Sequence, residues 1–383
     1  MDISIPPYVR QIYDRLKDRG IKSYVVGGAV RDAYLGIMPG DYDMCASVPP
    51  LQLRAALSDF KIIPTGLKHG TVTVSQPEGN VEITSFRRET GYSDNRHPDA
   101  IEYTDRVEED VQRRDFTINS LYYSPDEGVI DLVDGISDIN RRLIRAVGAA
   151  ERRFSEDALR IIRAMRFASV LDFEIEAETE RAMLSLSGNL SEIAVERVYG
   201  ELIKLLGGNC LPLIKYREIF LPFLGSYKKE KAALVSETEN RAVKFALIFD
   251  SPETAREKCD FLKMPNKLSK RIRVLTENKD ISFETDRDIL FCLNSLGEEG
   301  ARDLAEYKGL LNKKDMSQRL EEILSSDRVW QLRQLSVSGS DLKEAGFAGA
   351  DIRNKLEELL ALVMEARLEN KRQVLMEYIK NDN

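Results

Sequence analysis

The chain has 383 residues, 43% of them hydrophobic and 31% charged, which suits two or three folded domains and excludes a disordered chain. Its net charge of −8 excludes a uniformly basic nucleic-acid binder, though a local basic groove remains compatible with that total. No long apolar run predicts a membrane span, Met1-Asp2-Ile3-Ser4 does not read as a secretory leader, and four scattered cysteines (45, 210, 259, 292) with two histidines argue against a disulfide framework or a structural zinc site, so the expected compartment is the cytoplasm.

Residues 1–145 read as α/β. A helix is predicted over Pro7–Arg19, stopped by Gly20, and a strand over Ile21–Val26. Further strands are predicted over Asp41–Met44, Gly70–Ser75 with its alternating Thr71-Val72-Thr73-Val74, and Val81–Phe86. Arg87–Tyr103, polar and rich in turn formers, reads as a long loop of the functional or mobile kind. Strands over Thr117–Tyr123 and Val129–Leu132 complete the predicted sheet. After about residue 146 helical periodicity takes over. Leu159, Ile162 and Met165 repeat on one side of a helix, and Leu356, Leu359, Leu360 and Val363 do so near the C-terminus. Boundaries are expected near Gly207-Gly208-Asn209 and around Leu310-Leu311-Asn312.

Four clusters carry chemistry. Gly27-Gly28-Ala29-Val30-Arg31-Asp32 follows a strand, where paired glycines allow close approach to a phosphate and Arg31 can bind it bidentately; the same residues would also suit a plain tight turn with Arg31 paired to Asp32. Asp41 and Asp43, spaced i, i+2 on an extended segment, point to one face and suit hard divalent cations, with Glu82 a third oxygen ligand from a neighbouring strand. A lone Asp-x-Asp is usually a pair of solvated turn residues; the glycine pair upstream and the sheet context favour metal-assisted nucleotidyl transfer. Arg113-Arg114-Asp115-Phe116-Thr117-Ile118-Asn119 offers arginines for phosphates, and Asp115 or Asn119 for a ribose hydroxyl.

The fourth cluster is Glu156-Asp157-Ala158-Leu159-Arg160-Ile161-Ile162-Arg163. Read as helical, it places Asp157 and Arg160 side by side, a carboxylate that accepts and a guanidinium that donates. That pair matches the pairing edges of cytosine and adenine and opposes uracil and guanine, and a site built to hydrogen-bond discriminates strongly. The plainer alternative is a surface i, i+3 ion pair. Arg163 and Arg166 extend a basic stretch with eight arginines between 141 and 166, opposed by Glu151, Glu156 and Asp157. Glu196, Arg197 and Glu201 are expected to buttress this helix through ion pairs.

In this order and spacing, the four clusters together with Glu196–Glu201 resemble the class II tRNA nucleotidyltransferases, or CCA-adding enzymes, of the polymerase-β-like nucleotidyltransferase superfamily. The resemblance covers roughly residues 20–205, with Val337–Leu342 resembling a tail segment of relatives. It implies an α+β fold: a nucleotidyltransferase head (1–145, mixed sheet with helices), then an all-α neck (146–206), body (207–310) and tail (311–383). It implies protein-templated addition of C, C and A to the tRNA 3′ end from CTP and ATP with Mg²⁺, by a monomer or a homodimer. Matched by position, Asp41 and Asp43 would bind metal, with Glu82 beside them. Gly27, Gly28, Arg31, Arg114, Asp115 and Asn119 would contact the nucleotide, and Asp157 and Arg160 would act as the amino-acid template with Arg163 and Arg166 completing the pocket. Arg87–Tyr103 would be the flexible loop needed for A addition. One departure is Ala46, where relatives usually carry threonine after the second aspartate.

An A-adding enzyme and a bacterial poly(A) polymerase are the alternatives. The latter tends to carry an arginine-rich run soon after the aspartates and often a basic C-terminal extension. Here those stretches read Gly66-Leu67-Lys68-His69-Gly70-Thr71-Val72 and Lys380-Asn381-Asp382-Asn383, which favours synthesis of the tRNA end. A non-catalytic RNA-binding protein on the same fold is disfavoured by the retention of both Asp41 and Asp43.

Overall fold

The computed structural model describes residues 3–63, 66, 70–92 and 98–381. The chain divides into two compact units, Met1–Pro212 and Leu213–Asn383.

In the first unit, helix α1 (Pro7–Asp18) buries Val9, Ile12, Tyr13 and Leu16 on one face and ends ahead of Gly20, whose φ of 69° lets the chain turn. Strand β1 (Ser23–Val26) leads through Gly27 into α2 (Gly28–Tyr34). Then come β2 (Tyr42–Ala46), α3 (Pro50–Ala56), β3 (Lys61–Ile63), β4 (Thr71–Gln76) and β5 (Gly79–Ser85). A seven-stranded sheet forms in the order β3-β4-β5-β2-β1, continued by β8 (Leu121–Ser124) and β9 (Gly128–Asp131); only β2 and β5 run parallel. Tyr24, Val26, Cys45, Phe86, Val111 and Tyr122 form a core cluster under it, with Tyr24 stacked on Phe86 and edge-on to Tyr122.

Two expectations require correction here. Arg87–Tyr103 is not wholly loop: β6 (Arg87–Thr90) and β7 (Ala100–Tyr103) pair antiparallel, Arg87 opposite Tyr103 and Thr90 opposite Ala100. Backbone pairing holds this hairpin despite the turn formers, of which Ser93, Asp94 and Asn95 lie outside the described residues, as do residues 67–69 of the stretch compared above. Likewise Thr117–Asn119 is a 3₁₀ turn rather than strand. The chain must turn there because the Asn119 and Ser120 amides bond back to the Phe116 and Thr117 carbonyls, so the strand starts at Leu121.

Between these elements lie α4 (Val107–Val111) and α5 (Gly135–Asn140); β10 (Leu143–Ile144) then pairs in parallel with β11 (Glu174–Ile175). The remaining helices of this unit are α6 (Ala150–Glu156), α7 (Leu159–Leu171), α8 (Ala177–Leu186) and α9 (Val195–Leu205). Leu159, Ile162 and Met165 are buried as their period requires, each side chain contributing about 2 kcal/mol by leaving water, and α7 packs on α9. After α9 the chain passes under Ser169: the Asn209 amide donates to its carbonyl, and Ser169 Oγ donates to the Leu205 and Asn209 carbonyls. A Cβ on Gly208 would lie 2.4 Å from that Ser169 carbonyl oxygen. Gly208→Ala is therefore expected to destabilise the first unit by about 1–3 kcal/mol, because backbone rather than a flexible tip must yield. Denaturant unfolding followed by circular dichroism checks this; a midpoint equal to that of the parent contradicts it.

The second unit is all helical. Its longer helices are Arg241–Ile248, Pro252–Phe261, Asn266–Asn278, Asp286–Asn312 (bent at Gly297), Ala350–Met364 and Arg372–Asn381. Thr285 with Asp288, and Ser338 with Asp341, form capping boxes. Buried Asp303 ties three of these helices together by accepting from Arg271 (2.6 Å) and from Asn240 (2.8 Å). All four cysteines are buried and none is in a disulfide among the described residues. Among the described residues no helix is long and apolar enough to cross a membrane.

Candidate active site

Register positions the acidic residues. Tyr42 opens β2 with its side chain buried, so Asp41 and Asp43 on either side of it are exposed. Because β2 and β5 run parallel in register, Asp43 lies directly opposite Glu82. Gly27, Asp43, Glu82, Thr84, Arg87, Arg113 and Arg114 line one pocket of about 240 Å³. Gly27 enters it with φ 78° and ψ −132°, a conformation that glycine reaches without strain. Ala46 is fully buried at the far end of β2, paired with Ser23 and Ser85.

Burial in the cleft, then the charges of Asp41 and Glu82, raise the Asp43 carboxyl to about 6 against the opposing pull of Arg114. Asp41 and Glu82 add to that rise, so three carboxylates share one acidic neighbourhood. Among the described residues no three metal-ligating side chains converge tightly. Few protein carboxylates, with phosphate and water completing the shell, is the arrangement Mg²⁺ favours. Asp43 and Glu82 supply hard oxygen donors of the type that divalent cations take. The sign of the pH effect follows. Asp43 titrates higher in the fold than the unfolded value near 3.8, so its ionisation costs stability, and the loss grows as pH rises from about 4 through about 6. Without divalent ions, the thermal midpoint of the parent is expected to fall relative to Asp43→Asn over that interval, and added Mg²⁺ should close the gap. Calorimetry of both proteins checks it; parallel pH curves contradict it.

The arginines of the second cluster are anchored from beneath. Asp110, fully buried, accepts from Arg113 (2.8 Å) and Arg114 (2.9 Å); burial would raise its carboxyl, but those two arginines hold it near 2. Arg114 also donates to the Tyr122 hydroxyl (2.7 Å). Asp115 accepts from Arg163 and, weakly, from Asn119 (3.3 Å). Burial works against ionising Asp115, yet Arg163 and then Arg160 bring its carboxyl to about 2. Asn119 in turn accepts from Arg31, which also bonds Asp32 (2.8 Å). A continuous polar chain therefore runs from α2 through the 3₁₀ turn to α7. Arg31 makes the local pairing to Asp32 that the plainer reading expected, and it also reaches across to Asn119, a contact the sequence did not announce.

The fourth cluster differs from expectation in one respect. Asp157 is not on a helix beside Arg160. It sits in an extended break between α6 and α7 (φ −148°, ψ 103°). Its carboxylate accepts from the Leu159 amide (3.1 Å) and from Arg197 on α9 (2.8 Å). Arg160 bonds Glu156 instead (2.9 Å), along with the carbonyls of Arg153 (3.1 Å) and Arg113 (2.9 Å). The i, i+3 pair is thus absent, and each partner is fixed separately. Glu156 also accepts from Arg153 (2.6 Å), whose other nitrogen donates to the Gln112 carbonyl. Glu201 pairs with Arg166 (3.1 Å) and lies 3.7 Å from Arg163. Glu201 therefore buttresses α7 through ion pairs, as expected of it, and Arg197 holds the break ahead of that helix. Burial, then neighbouring Arg163, lowers the Arg166 guanidinium to about 10.

Phe167, which sequence reasoning passed over, and Arg113, which it assigned to phosphates, hold this site together. Phe167 presents its ring to the guanidinium groups of Arg31, Arg163 and Arg166, the last 3.9 Å from the ring centre. Its position four residues after Arg163 and next to Arg166 was the available signal. Arg113 is the junction: its side chain lines the Asp43 pocket and its carbonyl holds Arg160. It also borders a second pocket with Glu156, Arg153 and the hairpin residues Glu89 and Tyr92.

With this geometry in view, known proteins can be compared. Residues 23–145 match the Poly A polymerase head domain, residues 172–210 the RNA- and SrmB-binding site of polymerase A, and residues 235–379 the second domain of tRNA nucleotidyltransferases. The CCA-adding enzyme of Lactobacillus delbrueckii subsp. bulgaricus is 32% identical over 387 residues, covering 96% of each chain. This chain belongs to the CCA-adding enzymes. That of Lactobacillus gasseri is 34% identical, covering 97% of this chain and 96% of its own. Among solved structures, the Bacillus stearothermophilus CCA-adding enzyme in complex with CTP superposes with a TM-score of 0.80 at 29% identity over 99% of this chain and 98% of that one. The Thermotoga maritima CCA-adding enzyme complexed with tRNA shares the fold (TM-score 0.70, 20% identity, all of both chains). As a CCA-adding enzyme, the chain is a tRNA nucleotidyltransferase with a polymerase-type head on a mixed sheet and a helical remainder.

Proposed function

We propose that this chain completes tRNA 3′ ends in the cytoplasm, adding C, C and A in turn from CTP and ATP with release of pyrophosphate. The observation that carries the reading is the junction at Arg113, where the pocket bearing Asp43 and Glu82 meets the element that fixes Arg160. Relatives aligned over nearly the whole chain carry the name CCA-adding enzyme, which favours this reading over a poly(A) polymerase.

In this reading Asp41 and Asp43 hold Mg²⁺, with Glu82 beside them. Bound there, the ion would lower the pKa of the attacking RNA 3′-hydroxyl and offset charge on the triphosphate. Gly27 and Gly28 let the backbone approach the phosphates, while Arg31 and Arg114 donate to them. Asp115 and Asn119 hold the ribose side of the pocket, and their bonds to Arg163 and Arg31 keep them oriented. Arg160 donates to the base and Asp157 accepts from its exocyclic amine; Arg163 and Arg166 complete the wall. Because each template residue is pinned by another partner, neither can swing to suit uracil or guanine. Residues 1–145 form the catalytic head, 146–206 the selecting neck and 207–310 a helical body, and the tail (311–383) binds tRNA. The β6–β7 hairpin is the element that adjusts for A addition.

Products decide the reading. A tRNA lacking its last three nucleotides, incubated with CTP alone, ATP alone and both, is expected to gain two, none and three residues respectively. Extension only of a tRNA already ending in CC, by ATP, would assign the A-adding activity instead, and a long A tail would assign poly(A) synthesis.

A further inference from the structure

The second unit contains a cleft that the proposed reaction does not use. It lies between helices Pro252–Phe261 and Asn266–Asn278 and encloses about 650 Å³, roomy enough for a nucleotide. Asn266, Lys270, Arg273 and Glu277 all line it, and their spacing of 4, 3 and 4 residues places them on one face of the second helix. Arg256, Asp260 and Lys263 line the opposite wall. The lining thus carries four cations and two carboxylates.

Those carboxylates are already engaged. Asp260 accepts from Arg273, and Glu277 lies 3.2 Å from Arg256. Lys270 is exposed and has no carboxylate partner among the described residues. Arg273 keeps a buried Nε with no hydrogen-bond partner. The helix beginning at Asn266 has no side-chain cap on its first amides, and Asn266 itself lines the cleft. Cys259 and Met264, both buried, give the cleft an apolar floor.

We propose that this cleft binds a phosphate group carried by a nucleotide, held by Lys270, Arg273 and the opening turn of helix Asn266–Asn278, with the ring or sugar against the Cys259–Met264 floor. The phosphate belongs either to the tRNA backbone or to a free nucleotide. The tRNA arm of the test rests on the function proposed above; the free-nucleotide arm does not.

Hydrogen–deuterium exchange of the full chain reads the cleft directly, without interference from binding in the head. Amides of residues 263–274 are expected to slow with a tRNA transcript lacking its CCA end, with millimolar AMP, or with both. The protection should be lost in Lys270→Glu and weakened in Lys270→Gln, while the rate of C addition at saturating tRNA stays within about twofold. If tRNA supplies the phosphate, Lys270→Glu should weaken tRNA binding about tenfold and lower its salt-dependence slope by one to two. Protection by tRNA alone assigns a backbone phosphate, and protection by AMP assigns a free nucleotide. Protection by neither, or protection unchanged in Lys270→Glu, overturns the proposal. Failure of CCA addition with AMP protection intact would remove the reading of the head and leave the cleft standing.

Discussion

Asp41→Ala and Asp43→Ala are each expected to abolish incorporation of C and of A alike, by about 10³-fold or more, while tRNA binding stays near that of the parent. The size follows from the several kcal/mol that a bound divalent ion contributes to charge stabilisation, at 1.36 kcal/mol per tenfold in rate. The structure explains why the loss should be chemical rather than structural. Neither residue belongs to the core, whereas the neighbouring Tyr42, Met44 and Cys45 carry the packing of β2. Removing Asp43 also removes a carboxylate that its surroundings push up to about 6, so the fold should gain stability at neutral pH rather than lose it. Equal loss with both nucleotides is the important feature, because residues that hold the metal in the proposed reading would serve every addition. Single-turnover incorporation on tRNA ending before the first C and on tRNA ending in CC checks it. Retention of either activity removes these two residues from the chemistry.

Asp157→Ala is expected to behave differently: C and A addition persist, but discrimination against UTP and GTP falls by about 10²-fold. A buried polar group facing the wrong base is left unpaired, and that penalty disappears when the carboxylate is removed. Arg197→Ala should give a weaker version of the same change, since Arg197 only holds Asp157 in place at 2.8 Å. Glu156→Gln should disturb Arg160 by the same logic, as Glu156 accepts from it at 2.9 Å. Competition between labelled CTP and UTP, scored as a ratio of kcat/KM, separates these effects from general loss of rate. A selective Asp157→Ala enzyme would show that the base is read elsewhere.

How much of this was legible in the sequence depended on whether a signal was local. Most of the sheet was: alternation in Thr71–Val74 and the apolar run before Gly27 gave strands within a residue or two of those observed, while the short edge strand β3 carried no such signal and was not predicted. The two aspartates were legible because extended backbone fixes i, i+2 to one face. Asp157 and Arg160 were misplaced because helical spacing was assumed to run unbroken through 156–163. The break at Asp157 is held locally by its carboxylate on the Leu159 amide, and also by tertiary partners that no local pattern encodes, Arg197 on α9 and the Arg113 carbonyl that draws in Arg160. The β6–β7 hairpin was hidden for a related reason. Its strands are four residues each, and turn formers between them dominate the composition. Phe167 read as one more apolar residue of α7; only the fold brings Arg31 to its face.

The central claim is that one protein surface receives CTP and ATP in the same place and selects both without a nucleic-acid template. Inhibition kinetics test it most directly: C addition to a tRNA lacking its CCA end, measured over a range of CTP with ATP as inhibitor. Competitive inhibition, relieved in full by CTP and altered in parallel by Arg160→Ala, is the expected result. Non-competitive inhibition, or ATP inhibition untouched by that substitution, would mean separate sites and would contradict the account.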